Sequence, residues 1–127
     1  MLVTLKEASF NQICAAIAHY GNGQFDCAIT LAAAAEGMLP AVNEPHLFQQ
    51  LRARPDQAEL DLNMMIVWLK HGGAASADLS DFETVITIAR AITKFTAVYR
   101  QSHPRFVEFW QRAHREGHLP DVLNIRN

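Results

Sequence analysis

Apolar residues recur at helical spacing through most of the chain. Phe10, Ile13, Cys14 and Ile17 fall at i, i+3, i+4 and i+7, one face of a helix predicted over about residues 5–19. Thr4-Leu5-Lys6-Glu7 opens it as a capping box, with a hydroxyl for the free N–H groups and a Glu three residues on to reach back. Gly21-Asn22-Gly23 closes it, because these residues tolerate the left-handed backbone of a helix end. A second helix is predicted over about 24–38. Its alanine-rich centre, Ala28-Ile29-Thr30-Leu31-Ala32-Ala33-Ala34-Ala35-Glu36, should let a neighbouring helix approach closely. Gly37, Pro40 and Pro45 interrupt the pattern, a short helix follows over 46–54 with Leu47, Phe48 and Leu51 inward, and Pro55 stops it. Asp56-Gln57-Ala58-Glu59 starts a helix that runs to His71, before Gly72-Gly73. Ser80-Asp81-Phe82-Glu83 is a further capping box. The helix it opens reaches about residue 100, with Phe82, Val85, Ala89, Ile92, Thr96 and Tyr99 on one stripe and Ile88 and Phe95 beside it. Pro104 suits the first position of a last helix, which turns Phe106, Phe109, Trp110 and Ala113 inward and Arg105, Glu108, Arg112 and Arg115 outward. Gly117 and Pro120 end it, and 121–127 reads as a tail. No segment carries the alternation of a strand.

The most continuous apolar run is Met64-Met65-Ile66-Val67-Trp68-Leu69. At 3.6 residues per turn, Leu60, Met64, Val67 and Trp68 share one face and Leu62, Met65, Ile66 and Leu69 another. Only Glu59, Asn63 and Lys70 leave a polar line. A helix apolar on most sides is a buried helix, so the others are expected to pack around this one. The expectation is an all-α, single-domain antiparallel helical bundle of five or six helices over residues 1–127.

Composition agrees with that class and excludes others. A chain of 127 residues, half of them apolar, suits one globular domain rather than a disordered segment. No apolar run approaches the roughly 18 residues of a membrane span, and the N-terminus lacks the basic-then-apolar pattern of a signal peptide. Cys14 and Cys27 sit in helical apolar patterns without C-x-x-C spacing, as reduced structural thiols of a cytoplasmic protein would. The net charge of −2 is unevenly spread: residues 1–86 carry four Lys/Arg and ten Asp/Glu, and 87–127 carry seven and three. Opposite charge on the two parts points to self-association or to a nucleic-acid surface on the basic part. A pI near 6.3 argues against avid non-specific nucleic-acid binding.

Candidate chemistry is sparse. Glu36 reads either as a site carboxylate or as the partner of a nearby Arg. His114 and His118 lie four apart but do not form H-E-x-x-H: Glu116 is at the wrong offset, Gly117 signals that the helix is ending, and no third ligand is identifiable. They read as a polar helix end, with no metal and no cofactor. The chain has no Gly-rich phosphate loop and no G-x-S-x-G elbow. Lys94, Arg100 and the arginines of the last helix read as a solvated basic face with phosphate contact as the alternative.

Trp68-Leu69-Lys70-His71 at the end of an apolar helix, the Ala28–Glu36 run before it, and Asp81-Phe82-Glu83 leading into Ile88-Ala89-Arg90-Ala91-Ile92 together resemble the HEPN superfamily. The resemblance implies a compact helical bundle, often a homodimer, often in toxin–antitoxin or other RNA-related systems. In active members an Arg, usually followed by a polar residue, precedes a His with about four to six intervening residues, and the two cleave RNA at a dimer cleft. His71 matches the His and Lys70 the residue before it. The Arg does not carry over: positions 64, 65 and 66 are Met, Met and Ile, Val67 stands where the polar residue would, and no Arg lies between Arg54 and Arg90. Arg112 precedes His118 with five intervening residues, but Gly117 interrupts that match, which reads as coincidence.

The leading reading is a non-catalytic HEPN-like helical protein acting through self-association, with RNA or a nucleotide as the ligand class and Lys70, His71, Asn63, Glu36 and Arg90 as candidate binding residues. The alternatives are an RNA-cleaving enzyme using His71 with an Arg supplied from elsewhere, and a plain protein-interaction module.

Overall fold

The computed structural model describes residues 1–41 and 66–119. Helices α1 (Leu5–Gly21), α2 (Phe25–Met38), α3 (helical residues 66–71), α4 (Asp81–Tyr99) and α5 (Pro104–Arg115) account for the regular structure, and no strand occurs among the described residues. The all-helical class is therefore as the periodicity requires. The short helix over 46–54, the start at Asp56, Asn63 and the tail at 121–127 lie outside the described residues.

Local chemistry sets the ends. In α1 the Glu7 N–H donates to Thr4 Oγ1 at 3.0 Å and the Thr4 N–H donates to Glu7 Oε1 at 3.1 Å, so two end donors are satisfied reciprocally. Ser80 and Glu83 repeat this device at α4, at 3.0 and 3.2 Å. In α5 the cap is His103, whose Nδ1 accepts from the Arg105 N–H at 3.2 Å, with Pro104 taking the first helical position. The α1–α2 turn runs through Gly23 at φ +76°, a conformation that costs glycine little.

Ser9, Ile13, Ala16 and Tyr20 are the buried face of α1, and Ala28, Ile29, Ala32 and Ala35 that of α2. The small α2 side chains let α1 and α4 approach closely, and these three helices form the main packing group. Helix α5 closes one end through aromatic rings. Phe10 of α1, Phe95 of α4 and Phe106 of α5 lie 5.6–6.0 Å apart between ring centroids, in tilted and edge-on arrangements.

The helix at the centre is α4. Ten of its residues are buried, from Thr84 to Phe95, whereas no described residue of α3 is fully buried and Val67, Lys70 and His71 are exposed. Of the helix over 57–71 expected to organise the others, only 66–71 are described, and these are half-buried or exposed, whereas α4 is deeply buried. The physical reason is visible in the threonines. Thr84, Thr87 and Thr93 each donate their hydroxyl to the carbonyl four residues back, at 2.8, 2.8 and 2.7 Å. A hydroxyl satisfied within its own helix can be buried at little cost. A count of apolar residues therefore underrates α4.

Candidate functional site

Helices α2 and α4 bring Glu36 and Arg90 together. Arg90 Nη2 donates to Glu36 Oε2 at 3.1 Å, with the two side chains only 14% and 17% exposed. Lys94, one turn on, donates from Nζ to the Glu36 carbonyl at 2.8 Å, where the end of α2 offers orphan acceptors. Two cations from α4 thus clamp the last turn of α2. The buried Arg90 Nε has no hydrogen-bond partner.

Lys70 and His71 stand exposed at the end of α3, immediately before Gly72 and Gly73. Leu69 beside them lines a solvent-open hollow of about 280 Å³ with His19, Asp26, Cys27, Thr30 and Leu31. His71 is exposed, whereas Glu36 and Arg90 are mostly buried. The structure joins two of the candidate residues into a pair and leaves Lys70 and His71 in solvent, and Asn63 is outside the described residues.

A second polar cluster draws on three elements. Asp81, the first residue of α4, accepts from the Tyr20 hydroxyl of α1 at 2.6 Å and from His118 Nε2 at 2.7 Å. Glu116 lies beside them and accepts from Arg112 Nε at 3.3 Å, and the Arg112 guanidinium sits 5.7 Å from the Tyr20 ring centroid. Burial, the hydrogen bond to Asp81 and the nearby carboxylate charges push the Tyr20 hydroxyl well above its ordinary pKa, with Arg112 working against them. The turn that brings Glu116 and His118 here is made by Gly117 at φ +83°, with His118 N–H donating to the Ala113 carbonyl at 2.9 Å. His114 does not share a face with His118. Its Nδ1 carries the hydrogen and donates to the Leu119 carbonyl at 2.9 Å, because a carbonyl can only accept.

Sequence reasoning does not single out Tyr20 or Asp81. Asp81 reads there as a member of a capping box and of the stretch that carries the resemblance, and its partners are 61 and 37 residues away. No local spacing encodes such contacts. Arg112 and His118, whose separation matches the HEPN spacing, do come to one cluster, but each is held by a carboxylate.

Comparison of the chain with protein-family models, with curated proteins and with solved structures gives no match.

Proposed function

We propose that the chain is a non-catalytic, HEPN-like helical protein that acts through self-association as a homodimer. The observation that supports this is an apolar surface at the start of the chain. Leu2, Val3 and Leu5 are 95%, 44% and 46% exposed. Exposed large apolar residues grouped in sequence favour a partner that removes them from water. The uneven charge of the chain, acidic to residue 86 and basic beyond it, favours a second copy as that partner. RNA or a nucleotide as ligand rests on the HEPN resemblance alone. Light scattering on the purified protein at micromolar concentration should give about twice the 14.2 kDa chain mass. A monomer mass there contradicts the proposal.

One observation favours the RNA-cleaving alternative: Arg112 and His118 meet in one cluster. Asp81 and Glu116 weigh against it, because two carboxylates beside the histidine repel a phosphate backbone. At the resemblance's own position Ile66 has neither charge nor donor, and losing one electrostatic stabiliser of that kind costs ~10²–10³ in rate. Incubation with structured and single-stranded RNA should therefore give no cleavage above background. Cleavage that disappears in His71→Ala or His118→Ala would establish the enzyme reading instead.

A further inference from the structure

We infer that Asp81, Glu116 and His118 form a binding site for a divalent transition-metal ion of the zinc type. The ligand-capable atoms of these three side chains lie within 4.8 Å of one another. They offer one imidazole nitrogen and two carboxylate oxygens, a donor set that zinc accepts at ~2.0–2.2 Å, and three protein ligands leave a fourth position for water. Donors around a tetrahedral ion stand ~3.4 Å apart, so from a spread of up to 4.8 Å the site assembles by side-chain shifts of at most about 1.4 Å.

Three features make this more than a chance grouping of acids. The donors come from two separate elements, the first turn of α4 and the turn after α5, and that second turn is fixed. Gly117 N–H donates to the His114 carbonyl at 3.0 Å, His118 N–H to the Ala113 carbonyl at 2.9 Å, and the following Leu119 is buried. Asp81 has an outer partner: the Tyr20 hydroxyl holds Oδ1 at 2.6 Å and leaves Oδ2 to face His118. Metal-ligating carboxylates are commonly oriented by such hydrogen bonds. The third feature is charge. His118 Nε2–H now donates to Asp81 Oδ2 at 2.7 Å, and an ion would take the place of that proton between the same two atoms. Arg112, 3.3 Å from Glu116, is the competing cation. That pair is roughly half exposed at both ends, so it is held weakly. When Glu116 turns to the ion, the Tyr20 ring, 5.7 Å away, remains as a contact for Arg112.

The test is a zinc titration of the full chain in chelator-free buffer, read by competition with a chromophoric zinc chelator. The expected result is one zinc per chain at micromolar affinity or tighter, with a higher melting temperature in its presence. His118→Gln and Glu116→Gln should each weaken binding at least tenfold, and Tyr20→Phe, which removes an outer partner, about tenfold. His19→Gln and His103→Gln should leave it unchanged. Glu116→Gln alters only an exposed turn, so its effect does not depend on how well the other variants fold. Absence of saturable binding up to about 100 µM zinc overturns the inference, as does binding that keeps its affinity in both His118→Gln and Glu116→Gln.

Discussion

Glu36 ties α2 to α4 through both its side chain and its backbone. Its carboxylate holds the Arg90 guanidinium at 3.1 Å, and its carbonyl takes Lys94 Nζ at 2.8 Å. Glu36→Ala leaves Arg90 mostly buried with no counter-charge, a change that costs about 3 kcal/mol. Urea denaturation should report a lower midpoint with an unchanged slope, and Glu36→Gln, which keeps an acceptor, should lose less. Tyr20 sets an alkaline limit. Its pKa is raised in the folded chain, so its contribution is fully present below the unfolded value of about 10. That contribution is lost as pH rises from there towards the folded value, because the unfolded chain releases the proton first. Tyr20→Phe should flatten the fall in melting temperature above pH 10. The sequence marks Glu36 as a candidate partner for an arginine, but only the α2–α4 contact decides that it is Arg90. Asp81 is legible as a helix-start residue and illegible as the acceptor for Tyr20 and His118.

At the scale of elements, the close approach of α2 to its neighbours depends on alanine. Ala32 is fully buried, and Ala32→Leu would insert bulk where none fits, costing about 1–3 kcal/mol. Ala34→Leu, at an exposed position of the same helix, should change the urea midpoint little. The start of α1 carries a pH dependence of opposite sign to that of Tyr20. Hydrogen bonds from the Thr4 backbone and side chain hold the Glu7 carboxyl below its ordinary value. Its contribution is present above the unfolded value of about 4.3 and is lost as pH falls through the lower folded value. The protection of the Glu7 amide, measured against its intrinsic exchange rate at each pH, should therefore fall on acidification in the wild type and less so in Glu7→Gln. Capping boxes and terminal glycines are local signals, which is why the bounds of α1, α4 and α5 are readable to within a residue or two. Depth of burial is not local. Among the described residues α4 is the most deeply buried helix, and its threonines satisfy their hydroxyls within it, which no count of apolar residues anticipates.

For the whole molecule, the helical class follows from the periodicity, and among the described residues no helix is long and apolar enough to cross a membrane. Function is less legible, because the groups with chemistry to offer come from distant positions and because the resemblance lacks its arginine. The central claim is self-association over the apolar start of α1. Sedimentation equilibrium on the wild-type and Leu5→Asp chains side by side tests it most directly. An Asp in the first turn of α1 suits the helix dipole, so the substitution spares the helix while charging the surface. The account predicts about twice the 14.2 kDa chain mass for the wild type and a monomer for Leu5→Asp at the same micromolar concentration. A monomeric wild type, or a Leu5→Asp chain that associates as strongly as the wild type, would contradict it.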